Sequence, residues 1–414
     1  MKQDYDILIV GAGIVGTSLA LALSDLPLRI ALIEQSPFKT LDTSLSSESK
    51  PIALNLASLR ILQTLNLWSA LETYANPIKS VYISKQACFT QSRINAKDLG
   101  VSQLGTVIPA AHLGQQLTKS LLQVVSYKTK PGCLDLYNPA CCESIEQLGG
   151  AWQVVVSNQK EKKIIYPRLI IGVDGTHSTV RKLLNIGLKT KPSSEAALTT
   201  FIDTSHHHQH IAYQRFTKQG IIACLPLRDN KLGLVWTSEQ QTIETLQNLT
   251  ELDFFENLQH HFSYRFGKLL HYTKPQVYGL KSCIAEVQAQ AGLILLGNAA
   301  HTLLPIAAQG LNLGLQDMAE CVDLIAKALE QSQDLGDACL AQSYLKSRLT
   351  AQRQIIGFTE QLTRLQTQFG PLTFIYNNGL LAMELLSPFK RNLSRRLMGI
   401  HGRLPRLVRG LTLQ

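Results

Sequence analysis

One hexapeptide narrows what this chain can fold into. Gly11-Ala12-Gly13-Ile14-Val15-Gly16 stands between the short β-rich run Tyr5–Val10 and an alanine- and leucine-rich stretch from Thr17 to Ser24. At a strand-to-helix turn, G-x-G-x-x-G has a steric meaning. The first glycine permits the tight turn, the second lets backbone approach a pyrophosphate, and the third lets helix pack on strand. The helix N-terminus then offers free N–H groups and the positive end of its dipole to phosphates. Leu28 to Ile33 reads as the next buried strand, ending at Glu34, where a carboxylate can accept hydrogen bonds from a ribose. The chain is therefore expected to open with a Rossmann-like βαβ unit that binds a dinucleotide. Ile7 to Leu23 is apolar enough to suggest a membrane span, but three spaced glycines and the flanking Asp4, Asp6 and Asp25 favour a buried strand–turn–helix.

Two further segments end apolar strands in small and polar residues, as backbone must where it meets a ligand at the carboxyl edge of a sheet. Gly172-Val173-Asp174-Gly175 runs on to Arg181, and Gly297-Asn298-Ala299-Ala300-His301 runs through Pro305 to Gln309-Gly310-Leu311-Asn312 and Gly314. The second also offers N–H groups at an expected helix start near Gly310. Elsewhere, Ile52 to Leu71 and Val107 to Val125 read as helical, Trp152–Ser157 and Ile164–Val173 as strands, and Ala197 to Thr237 as a separate sheet with turns near Gln219 and Asp229. From Leu311 the pattern is largely helical.

At 414 residues, with 45% hydrophobic and 17% charged residues, the chain has material for a large core and exceeds what one core serves, so interleaved subdomains are expected. Eight cysteines without a C-x-x-C pair argue against a zinc site or disulfide framework and fit a reducing, cytoplasmic setting. His206, His207, His208 and His210 lack an acidic or cysteine companion, so an exposed polar loop is expected and no metal site. The net charge of +10 is concentrated at the C-terminus, where Lys390, Arg391, Arg395, Arg396, Arg403, Arg406 and Arg409 alternate with apolar residues. Such a stretch suits an anionic lipid surface, which would place the protein at the inner face of the membrane, or an acidic partner protein; it also suits a solvated terminal helix. No nucleic-acid-binding module accompanies the charge, so no nucleic-acid partner is expected.

With these motifs in place, the chain resembles the flavin-dependent aromatic hydroxylases, the group containing para-hydroxybenzoate hydroxylase, and within it the ubiquinone-biosynthesis hydroxylases. Tyr213-Gln214-Arg215-Phe216-Thr217, Leu225-Pro226-Leu227, Met383 to Pro388 and Asn298 are most similar to the 2-polyprenyl-6-methoxyphenol hydroxylase branch. The resemblance implies an α/β (α+β) fold. A Rossmann-like FAD-binding domain would come from residues 1–75, 106–190 and 286–330, a β-sheet substrate domain from 76–105 and 191–285, and a helical region with a basic tail from 331–414. It implies FAD held by Gly11, Ala12, Gly13, Ile14, Val15, Gly16, Glu34, Lys50 and Gln115. Asp174, Gly175 and Arg181 would serve the pyrophosphate region, and Gly297 and Asn298 the ribityl chain. Pro305, Gln309, Gly310, Leu311 and Asn312 would serve the isoalloxazine.

Three positions depart from the family pattern. Asn298 replaces the common Asp and keeps a hydrogen-bonding oxygen. Ala308 replaces a Gly, and Glu48-Ser49-Lys50 stands in place of Asp-Gly-Arg, without arginine's planar donor fork. With no second G-x-G-x-x-G, NAD(P)H is expected to be a transient co-substrate, and O2 and a polyprenylated phenol complete the reaction. His301 is a candidate for proton relay or for capping a helix, and Arg215 and Phe216 are candidates for lining the substrate pocket. The alternatives are an FAD-dependent oxidase or prenyl reductase, and a non-catalytic FAD-binding member of a biosynthetic complex.

Overall fold

The computed structural model describes residues 3–38, 50–86, 91–126, 132–149, 151–158, 161–191, 194–304, 308–367 and 387–413. Its framework is a six-stranded sheet in the order Ala289–Gln290, Leu293–Leu295, Pro167–Gly172, Tyr5–Val10, Arg29–Ile33, Cys133–Tyr137. All neighbours run parallel except the first pair. Strands covered on both faces must be apolar throughout, and Ile7, Leu8 and Ile9 are all fully buried, feeding two separate cores above and below the sheet. The four central strands end on one edge, at Val10, Ile33, Gly172 and Leu295. All three glycine-bearing motifs leave the sheet there.

A second, mainly antiparallel sheet of eight strands stands beside it, with Glu195–Thr204, Ile211–Thr217, Gly220–Pro226 and Lys231–Glu239 in its centre and Ser80–Lys85, which joins Ile211–Thr217 in parallel, and Gln91–Asn95 at one edge. One face packs on the helices Gln240–Gln247 and Glu251–Phe262 around the fully buried Trp236 and Phe254. The other face turns toward the dinucleotide fold. A three-stranded sheet of Pro51–Asn55, Gly105–Pro109 and Asn76–Ile78 fills the seam between them.

Three sequence expectations are corrected. The helical readings over Ile52–Leu71 and Val107–Val125 each begin with a strand residue set: Pro51–Asn55 pairs antiparallel with Gly105–Pro109, and helices start only at Leu56 and Ala110. Short apolar runs carry too few residues to separate period 2 from period 3.6, and here sheet pairing decides. The histidine segment is not simply an exposed loop. His208 is 3% exposed, its Nδ1 accepts from the His210 N–H, and its Nε2 therefore donates to the Leu227 carbonyl. Among the described residues no cluster suited to a metal ion is found.

Candidate active site

The glycines of the first turn separate fold from function. Gly11 has φ +107, and a Cβ there would stand 2.7 Å from the Val173 carbonyl oxygen and 2.8 Å from the Asp174 nitrogen. A Cβ at Gly16 would stand 2.0 Å from the Gly11 carbonyl oxygen. Both are glycine because the chain packs on itself. Gly13 is different: its φ of −68 suits any residue, and a Cβ there would meet nothing within 4 Å. Its bare, exposed backbone caps the helix Ile14–Leu23, whose first turn has no side-chain cap. Free N–H groups facing open space fit a bound pyrophosphate.

Glu34 is fixed beside this turn by the Ala12 N–H on Oε2 (2.7 Å) and the Ser36 N–H on Oε1 (2.9 Å). From the neighbouring strand, Asp174 Oδ2 accepts from the Thr179 and Val180 N–H groups at 2.6 and 3.1 Å, while its buried Oδ1 has no partner. Such an orphaned acceptor also fits a ligand hydroxyl or an ordered water. Gly175 follows with φ +82. Arg181 is only 4% exposed, and its guanidinium donates to the Ala299 carbonyl at 2.5 Å and to the Thr176 carbonyl. It braces the second motif against the third instead of reaching openly toward a phosphate. Gly297, with φ +55, packs against Val15, and Gly314 would place a Cβ 3.1 Å from the Gly297 Cα. Separate motifs thus meet in one groove, from whose edge the Asn298 side chain projects into solvent.

The groove leads to the N-terminus of the helix Gln309–Glu330. The preceding residue, Ala308, is left-handed at φ 52, ψ 36. Asn312 clamps this corner: its amide donates to the Ala53 and Ala308 carbonyls at 2.9 and 2.6 Å and its Oδ1 accepts from the Asn55 N–H at 2.9 Å. Asn312 and Gln309 are buried, Gly310 and Leu311 half-buried. Beneath the corner lies a cavity of about 250 Å³, walled by the antiparallel sheet, the strand Pro51–Asn55, Phe358, and the helix Ser387–Leu397 with Met398. None of its described lining residues is charged.

The expected pocket residues separate. Phe216 lines the cavity, as do Ala212 and Gln214 on alternate positions of the same strand. Arg215 does not. Strand alternation turns it to the opposite face, toward Ser84 and the neighbouring helices. Lys50 is exposed, with Nζ 5.6 Å from the Tyr278 ring centre, and Gln115 is half-buried on the helix Ala110–Ser126. Pro305, Glu48 and Ser49, with Met383 to Leu386, lie outside the described residues. Lys85, which no sequence signal marks, is 2% exposed on the cavity face of its strand with Val81 and Ile83, in register with Phe216.

His301 is 1% exposed and does not line the cavity. Its Nε2 bonds Asp317 Oδ2 at 2.6 Å, and the same carboxylate accepts from Arg348 Nε (2.5 Å) and Gln352 Nε2 (2.9 Å). Burial pushes the Asp317 carboxyl up, but Arg348 and the His301 bond outweigh it and hold it below the usual carboxylate range. Here His301 ties the Asn298 turn to the helix Gln309–Glu330, a bracing part closer to the capping alternative than to a proton relay. The partners lie 16 to 35 residues apart in sequence, so no local motif announces them.

The chain is 27% identical over 412 residues to the uncharacterized protein slr1300 of Synechocystis sp., covering 99% of this chain and 97% of the relative. It is 28% identical to the ubiquinone hydroxylase UbiL of Rhodospirillum rubrum, covering 99% and 93%, and 27% identical to the 3-demethoxyubiquinol 3-hydroxylase of Escherichia coli, covering 96% and 100%. Among solved structures, p-nitrophenol 4-monooxygenase PnpA from Pseudomonas putida superposes with a TM-score of 0.72 at 14% identity, over 97% of this chain and all of that one. That likeness shows a shared fold. The family model described as FAD binding domain matches residues 4–359, and the chain belongs to that family.

Proposed function

We propose that this chain is an FAD-dependent monooxygenase of ubiquinone biosynthesis, hydroxylating the ring of a polyprenylated phenol with NAD(P)H and O2. The observation that carries the reading is the uncharged cavity directly beneath the buried N-terminus of the helix Gln309–Glu330. Bound FAD supplies hydride acceptance from NAD(P)H and activation of O2. The chain supplies position. The N–H groups of Gly13 to Val15 hold the pyrophosphate, Glu34 a ribose, Asn298 the ribityl hydroxyls, and the backbone of Gly310 to Asn312 the polarised edge of the ring system.

Phe216, Ile83, Val81 and Leu397 keep water from the reacting centre and bind an apolar substrate. A prenyl tail gains about 0.8 kcal/mol for each buried methylene, and a cavity with no charged wall favours it over a carboxylated ring. The R. rubrum relative is named a ubiquinone hydroxylase and the E. coli relative a 3-demethoxyubiquinol 3-hydroxylase, which supports a substrate of that kind. Within that class, 2-polyprenyl-6-methoxyphenol is the substrate we propose. The helix Ser387–Leu397 shows Arg391 and Arg395 to solvent, an arrangement suited to anionic lipid or to another ubiquinone-biosynthesis protein. No helix among the described residues is long and apolar enough to cross a membrane.

The test is oxidation of NAD(P)H by the FAD-loaded protein with 2-polyprenyl-6-methoxyphenol, followed by mass analysis. A phenol-stimulated rate and a product heavier by one oxygen atom are expected. A hydrogenated prenyl chain, or peroxide with no ring product under any phenol, would instead identify a reductase or oxidase.

A further inference from the structure

Arg215, turned away from the cavity, is left in a setting that the proposed hydroxylation does not explain. Its guanidinium is half-buried, Nε is buried without a partner, and its hydrogen bond is a long one of 3.4 Å from Nη1 to Ser84 Oγ. A second cation shares this face of the sheet. Arg265 crosses over from the end of the helix Glu251–Phe262, its guanidinium carbon 4.8 Å from the Tyr82 ring centre and 5.3 Å from that of Tyr213. Burial, followed by Arg265, lowers the Arg215 pKa. Among the described residues no carboxylate is bonded to either guanidinium, although Arg215 is half-buried and a buried charge ordinarily gathers a counter-charge.

The surrounding strands extend the same field. Arg93 stands opposite Tyr82 across the edge pair, and Ser80, Tyr82 and Ser84 share a face with Tyr213 and Arg215. Arg93 also lines a cavity of about 450 Å³ with Lys79, Lys97, Ser80 and Asn95. Asp98 is the carboxylate at this rim, and its Oδ2 accepts from Asn95 Nδ2 at 2.9 Å. Two cations on the sheet, Arg215 and Arg93, are therefore flanked by Arg265, Lys79 and Lys97 from adjoining segments, with several hydroxyl or amide donors among them. Guanidinium forks from separate elements match an oxyanion with three or more acceptor oxygens better than a single carboxylate, and a row of cations suits more than one negative charge.

We propose that this outer strip of the antiparallel sheet is a binding site for a phosphate-bearing ligand, with Arg215 and Arg265 gripping one phosphate and Arg93 the next. The phosphates belong to a free diphosphate or to a lipid headgroup. Because Arg215 alternates along its strand with Gln214 and Phe216, which line the reaction cavity, an occupied strip steadies the cavity wall from behind.

The experiment uses FAD-saturated protein, so that pyrophosphate cannot enter the cofactor groove. Pyrophosphate and ADP are titrated calorimetrically, and vesicles of phosphatidylcholine with or without phosphatidic acid are tested by flotation. Arg265→Gln, at an exposed residue whose loss leaves the core intact, and Arg215→Gln are compared with the parent. Saturable binding weakened about tenfold by either substitution, with steep salt dependence, is expected. Binding of the soluble anions identifies a free ligand. Flotation only with phosphatidic acid, lost in Arg265→Gln, identifies a headgroup. Unaltered affinity in Arg265→Gln, or binding of none of these probes by the parent, overturns the proposal.

Discussion

Replacing Ala308 by glycine should stabilise the protein, although it deletes a methyl group from the wall of the cavity. At φ 52, ψ 36 the alanine occupies the left-handed region, where a Cβ crowds the following carbonyl at a cost of about 1–2 kcal/mol. Glycine removes that strain but loses about 0.5–1 kcal/mol more backbone entropy on folding. The difference is a net gain of about 0.5–1 kcal/mol. Asn312, whose amide donates to the Ala308 carbonyl at 2.6 Å, keeps the corner in place in both proteins, so strain relief is not lost to rearrangement. For a chain of 414 residues, the usual unfolding entropy per residue converts this to a Tm rise of about 1 °C, measured by scanning calorimetry at equal FAD saturation. Ala308→Val supplies the opposite arm, because a β-branched side chain is still less tolerated at positive φ. The order glycine above alanine above valine is expected. Valine and glycine variants of equal stability would show that the residue is not held left-handed, and the reasoning would fail.

Other outcomes follow from the same geometry. Gly13→Val should yield a folded protein without flavin absorbance, since its φ is ordinary and its Cβ meets no protein atom; stoichiometric FAD would refute the placement of the pyrophosphate. Asp317→Asn should lower stability by about 3–5 kcal/mol in urea unfolding, because Arg348 is left buried and unpaired, and adding Arg348→Met should recover much of the loss. His208 and His261 are pushed down to about 4, chiefly by burial. Their unfolded forms take up protons near pH 6.5 and their folded forms only near 4. Stability should hold above pH 6.5 and fall between pH 6.5 and 4 by about 1–3 kcal/mol per histidine; a flat unfolding midpoint across that window in the parent contradicts their burial as neutral rings.

The glycine turn and Glu34 were legible because their spacing encodes steric requirements; Ala308 stood out only as a departure from the family pattern, and the structure supplies the reason, a left-handed corner where glycine is usual. Other features had no local sign. Alternation along Tyr213 to Thr217 shows that Arg215 and Phe216 face opposite ways, but only the packed helices decide which side is the cavity. The two strands read as helices, Pro51–Asn55 and Gly105–Pro109, owe their form to each other across fifty residues of chain. Asp317 and Arg348 form a buried pair only because two long helices meet, and in sequence each looks like an ordinary charged helix residue.

The helix Ser387–Leu397 has two outlooks. Ser394 and Leu397 face inward onto the reaction chamber, while Arg391 and Arg395 face solvent. Whatever settles on those guanidinium groups therefore presses on one of the chamber's own panels. A ligand held by those guanidinium groups would thus bear on the same wall that meets the substrate, coupling the protein's outer surface to its reaction chamber through one helix.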